Sequence, residues 1–113
     1  MHELSIAMSI VEICTEEVSK AEAKKVTSVE LEVGTLSGIE IDALEFSWDV
    51  AIKDSPVEGA QLLINKVEAI AKCIDCGNEY QIDSLYTTCP TCNSFRNDIS
   101  KGKELFIKSL NVE

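Results

Sequence analysis

Two cysteine pairs constrain this chain more than any other feature. Cys73-Ile74-Asp75-Cys76 and Cys89-Pro90-Thr91-Cys92 are each C-x2-C, and twelve residues separate them. A C-x2-C turn lets two thiolates converge on one cation, and two such turns complete a tetrahedral sulfur site that suits zinc. Gly77 and Asn93 follow the second cysteine of each pair. Both residue types tolerate the positive φ that a sharp metal-binding turn needs. Cys73, Cys76, Cys89 and Cys92 are therefore assigned as ligands of one Zn(II). Four thiolates leave no open coordination position, so this zinc is structural and not catalytic. Dithiol redox chemistry is the competing reading, and two pairs at ribbon spacing argue against it. The fifth cysteine, Cys14, falls on an apolar stripe and reads as a small buried hydrophobe.

The residues around the pairs predict an α+β fold. Leu4, Ala7, Val11, Cys14, Val18 and Ala21 recur at three-four spacing, which predicts an amphipathic helix over about 4–22. Glu16 and Lys20 are placed to pair one turn apart. Val29–Val33 alternates apolar and charged, as a half-buried strand does. Gly34, Ser37 and Gly38 break it. A second helix is expected over 43–52, burying Leu44, Phe46, Trp48 and Val50, with Asp42 as N-cap and Glu45 completing a capping box. Two more strands follow at 60–67 and 105–112, the latter with Phe106, Leu110 and Val112 at one parity. Residues 72–103 form an inserted zinc-ribbon-like module, with short strands expected at 78–82 and 85–88. The rest, 1–71 and 104–113, makes the main domain of two helices and a three-stranded sheet.

Charge excludes some partners. The net charge is −10, and residues 1–70 hold fourteen acidic against five basic side chains. No Lys/Arg cluster is present, so nucleic acid is not an expected partner. No apolar run is long enough to span a membrane, and the start lacks the basic and apolar regions of a signal peptide. The expected location is cytoplasmic, where cysteines signal metal or redox chemistry before disulfides.

The only histidine is His2, between Met1 and Glu3. A residue as large as His at position 2 should keep Met1 in place. The α-amine of Met1, the backbone nitrogen of His2 and its Nδ1 can close two fused chelate rings on one metal. Such nitrogen-rich, square-planar coordination suits Ni(II) or Cu(II). Glu3 offers a further ligand. Glu40, in the loop before the second helix, is a candidate second carboxylate, and Asp42 is its neighbouring competitor. A helix N-terminus repels a dication, so such carboxylates are needed there. On chemistry alone, the same three residues are also compatible with a frayed, functionless chain end.

Together these features resemble the HypA/HybF family of hydrogenase-maturation nickel metallochaperones. The resemblance rests on Met1-His2-Glu3-Leu4-Ser5, the strand entering Gly34-Thr35-Leu36-Ser37-Gly38-Ile39-Glu40, the helix with Phe46, and the paired C-x2-C module before a closing strand. It implies nickel ligation by the Met1 amine, His2 and backbone nitrogens near Glu3, with an acidic residue at the position of Glu40. It also implies a carrier and not an enzyme. Its implied partners are a nickel-binding maturation GTPase and the large subunit of [NiFe]-hydrogenase, with urease accessory proteins in some relatives. The rival from the residues alone is a zinc-ribbon accessory or scaffold protein.

Overall fold

The computed structural model describes residues 3–84 and 86–113. The first helix, α1 (Glu3–Lys20), buries Ala7, Ile10, Val11, Cys14 and Val18 along one face. It ends two residues earlier than the apolar spacing predicts. Glu22 adopts a left-handed φ of 54°, and the Ala23 N–H bonds back to the Val18 carbonyl at 2.9 Å. That geometry satisfies an open carbonyl of the last turn and stops the helix. Lys20 pairs with Glu17 at 3.7 Å, not with Glu16.

Strand β1 (Val26–Gly34) follows, with Val29, Leu31 and Val33 fully buried and Glu30 and Glu32 half-buried between them. Helix α2 (Ile41–Ala51) packs against α1 and buries Leu44 and Trp48. Strands β2 (Gln61–Val67) and β6 (Leu105–Val112) flank β1, giving a sheet in the order β2-β1-β6. This is the expected set of two helices and one three-stranded sheet.

A second sheet surrounds the cysteines. Strands β3 (Ile70–Cys73), β4 (Glu79–Gln81) and β5 (Asn97–Lys101) pair antiparallel with β3 in the centre. Ala71 faces Tyr80 on one side and Ile99 on the other. Ala69, Ala71, Cys73, Tyr80, Ile82 and Cys89 form its core, with Leu36 and Ile99 packed against them. Two of the six core side chains are thus cysteines of the paired motif. The buried Tyr80 hydroxyl accepts a hydrogen bond from Asn97 Nδ2 at 2.8 Å, which removes the cost of leaving it dry.

Several expectations need correction. Asp42 is not the N-cap of α2. The Leu44 N–H bonds the Glu40 carbonyl at 2.9 Å, so the helix begins earlier and Glu40 holds the cap position with extended φ and ψ. Asp42 lies in the first turn, where its charge still complements the helix dipole. Phe46 and Val50 do not join the core: they are 76% and 49% exposed, because Leu44 and Trp48 occupy the buried face. Phe106 is half-exposed as well. No strand runs through 86–88, and Leu85 lies outside the described residues. Thr87 Oγ1 bonds Asp83 Oδ1 at 2.9 Å and the Tyr86 N–H bonds Ser84 Oγ at 3.2 Å, so local side chains hold this segment as a turn. The other strands of this sheet are β3 and β5.

The chain forms two compact units. One comprises Met1–Leu31, Ile39–Asn65 and Phe106–Glu113; the other comprises Glu32–Gly38 and Lys66–Leu105. Within the second unit, backbones approach so closely that only glycine fits. A Cβ on Gly34 would lie 2.0 Å from the Gly102 carbonyl oxygen, and one on Gly102 would lie 2.4 Å from Ala69 Cα.

Candidate metal centre

The four paired cysteines converge. Their Sγ atoms all lie within 4.8 Å of one another, with Cys73–Cys92 at 3.5 Å and Cys76–Cys89 at 3.6 Å. Tetrahedral zinc with Zn–S bonds of about 2.3 Å needs sulfurs about 3.8 Å apart, so the cluster fits that ion.

Each pair is closed by the same two hydrogen bonds. The Gly77 N–H bonds the Cys73 carbonyl at 2.9 Å, and the Cys73 N–H bonds the Asn78 carbonyl at 2.8 Å. In the second pair the Asn93 N–H bonds the Cys89 carbonyl at 2.8 Å, and the Cys89 N–H bonds the Ser94 carbonyl at 3.0 Å. Gly77 and Asn93 have φ of 78° and 62°, the left-handed turns anticipated from their identities. In each pair the first cysteine is buried and the second is exposed.

A polar clasp joins the two turns, and nothing in the cysteine spacing reveals it. Arg96 Nη1 reaches Asp75 Oδ1 at 3.1 Å, and the Ser94 hydroxyl donates to Asp75 Oδ2. The Ile74 N–H bonds the Arg96 carbonyl at 2.9 Å, and the Arg96 N–H bonds Ser94 Oγ at 3.0 Å. Asp75 is the one sequence hint, as a charged residue inside a C-x2-C turn.

The sulfurs divide their protons unevenly. Burial opposes ionisation of Cys89, but the N–H groups of Cys92 and Thr91 and the thiols of Cys76 and Cys92 outweigh it, bringing Cys89 down to about 6. At Cys92 the Ser94 N–H favours the thiolate, yet the Cys73 sulfur, burial and the other two sulfurs push it up to about 12. Cys76 is also raised: burial and the Cys89 and Cys73 sulfurs override the Asn78 N–H. Four crowded thiols cannot all ionise alone. A dication removes that repulsion, so metal binding must release protons.

The acidic candidates gather at the start of the helices. The Glu40 N–H points to Glu3 Oε2 at 3.4 Å, a long contact that brings the first turn of α1 to the N-cap of α2. Two positive helix ends meet there, with carboxylates from Glu3, Glu40 and Asp42 near them. Met1 and His2 lie outside the described residues.

A sequence profile of the family described as "Hydrogenase/urease nickel incorporation, metallochaperone, hypA" matches residues 1–112. The chain belongs to the HypA family. It is 43% identical to the hydrogenase maturation factor HypA of Chlorobaculum parvum and 44% identical to that of Geotalea uraniireducens, each over 100% of both chains. The fold agrees with solved members. The solution structure of the Ni metallochaperone HypA from Helicobacter pylori matches with a TM-score of 0.68 at 26% identity, covering 99% of this chain and 97% of that one. A second HypA solution structure gives a TM-score of 0.71 at 27% identity, covering 100% and 97%. Among the described residues no helix is long and apolar enough to cross a membrane.

Proposed function

We propose that the chain is a nickel carrier for hydrogenase maturation, with two metal sites of opposite character. Ni(II) is the cargo, held by the Met1 amine, His2, the carboxylate or backbone of Glu3, and Glu40. Zn(II) is resident, held by Cys73, Cys76, Cys89 and Cys92. The domain at 1–71 and 104–113 handles nickel, and the module at 72–103 holds zinc. The observation that carries the reading is the meeting of Glu3 and Glu40 in a chain of this family, Glu3 being the residue that follows the only histidine in the sequence.

The two sites suit different tasks. A tetrathiolate site is coordinatively closed and retains its ion. An N-terminal chelate can be attacked by incoming ligands one position at a time, which suits transfer by ligand exchange. The carrier works without catalysing a reaction, in the cytoplasm. It hands nickel to a maturation GTPase and onward to the hydrogenase large subunit, and a urease pathway is a further outlet.

Nickel titration into three forms tests this reading: the native N-terminus, His2→Ala, and an N-terminally extended chain. Loss of binding in both altered forms, with zinc retained, is the expected result. Normal binding by the extended chain would remove the α-amine from the ligand set. Affinity should weaken from pH 8 to pH 6, since the amine and imidazole have reference pKa values of about 7.7–8.0 and about 6.5 and must be deprotonated to bind.

A further inference from the structure

Helix α2 has two apolar faces, and the fold uses one. Leu44 and Trp48 enter the core. Phe46 and Val50, one turn apart, form a second row that is 76% and 49% exposed. The exposed positions flanking Phe46 within the helix are acidic, Asp42, Glu45 and Asp49, and the exposed Lys53 follows just past its C-terminal end. No basic residue stands in the last turn, where cations would suit the helix dipole. An exposed phenylalanine flanked by three carboxylates has the make-up of an interface anchor with a polar rim.

We propose that this face docks a protein partner presenting an apolar helix face rimmed by Lys and Arg. Charge selects the occupant. A second copy would set the same carboxylates against each other across a symmetric interface. Nucleic acid and anionic membrane surfaces are repelled by a chain of net charge −10. A cationic rim pairs the carboxylates while the apolar face dries Phe46. The inference rests on the carrier reading, because Glu40 caps the N-terminus of α2 and a partner seated on it lies along the helix that a candidate nickel ligand caps.

The probe is a fluorescent synthetic helix with a leucine face and Lys/Arg flanks, titrated into the zinc-loaded full chain. One-to-one binding is expected, weakened by raised salt. Phe46→Ser should lower affinity about thirtyfold, the size of an anchor residue's loss, while Phe46→Leu retains most of it. Glu45→Lys and Asp49→Lys should weaken binding several-fold, and a probe with Glu flanks should not bind. In cells relying on this chain, Phe46→Ser at normal abundance should lower hydrogenase activity. Equal binding by Phe46→Ser, no saturable binding, unchanged hydrogenase activity, or a dimer dissolved by Phe46→Ser would overturn the proposal. The last result would make a second copy the occupant. Nickel titration of the same samples separates the two readings. His2→Ala should lose nickel and keep the probe, whereas Phe46→Ser should lose the probe and keep nickel.

Discussion

Arg96 Nη1 lies 3.1 Å from Asp75 Oδ1, tying the second cysteine turn to the first. Both side chains are substantially exposed, so the ion pair alone is worth about 0–1 kcal/mol. The Ser94 hydroxyl on the same carboxylate adds about 1 kcal/mol. Asp75→Ala should therefore leave the module folded with zinc and speed zinc release to a chromogenic chelator by about tenfold. Release at the parent rate would show that the clasp does not restrain the turns.

Removing zinc should have a larger effect. Two of the six core residues of the second unit are Cys73 and Cys89. Without metal, the neighbouring sulfurs and burial hold the Cys92 and Cys76 protons, and nothing draws the two turns together. Chelation should collapse the dispersion of amide signals from residues 66–105, and stoichiometric zinc should restore it. Native-like dispersion in the metal-free chain would contradict a structural role for the ion.

Gly34 has no room to change. A methyl group there would meet the Gly102 carbonyl at 2.0 Å, and backbone cannot yield as a side chain can. Gly34→Ala should cost about 3 kcal/mol, at the upper end for overpacking, and lower the urea midpoint. Gly38→Ala serves as the contrast: nothing lies within 4 Å, and the strain comes only from its φ of +84°.

Glu30 supplies an acid-sensitive contact. Hydrogen bonds from Asn65 and Ser109, with the Lys108 ammonium beyond, hold its carboxyl below the usual range despite some desolvation. A carboxyl depressed in the folded state stabilises the fold above its unfolded pKa, and that contribution disappears as pH falls through the folded value. Urea melts followed by the single tryptophan, Trp48, should steepen in their pH dependence below about 4.5. Glu30→Gln should flatten that limb.

Cys14 should stay protected when zinc is removed, whereas the paired cysteines become reactive. Burial, aided by the nearby Glu17 carboxylate, pushes its thiol up. In the metal-free chain at neutral pH, alkylation should reach the paired cysteines, freed as their module loses its fold, and spare the buried Cys14, since the thiolate is the nucleophile. Mass mapping at low conversion checks the order. Because the folded state holds the Cys14 proton, its contribution to stability is complete below the ordinary thiol value and is lost as pH rises through the raised one.

The sequence made the long periodic elements legible because their pattern follows from burial. Helix α1 and strand β1 bury one face each, and their spacing says so. The cysteine cluster was equally plain, since ligand spacing is chemistry written directly into the chain. Strand β5 was not, because Asn97–Lys101 holds one large apolar residue, Ile99, and forms through pairing with β3. Phe46 misled for the opposite reason: hydrophobicity predicts burial, and this side chain is apolar and exposed. The clasp of Asp75, Ser94 and Arg96 depends on how two turns meet, which no local pattern encodes. The approach of Glu3 to Glu40, thirty-seven positions apart, has the same origin.

The matching closure of the two cysteine turns bears on how an ion enters and leaves. Each turn is closed by its own two backbone bonds, so the folded module would grip the metal with two pincers and not four separate sulfurs. Capture by one pincer turns the second step into an intramolecular event, favoured by high effective concentration. Release runs the same course backwards: one pincer can let go and regrip while the other keeps hold. Any slow exchange of the ion would thus be a two-handed pass, beginning at the exposed sulfurs of Cys76 and Cys92.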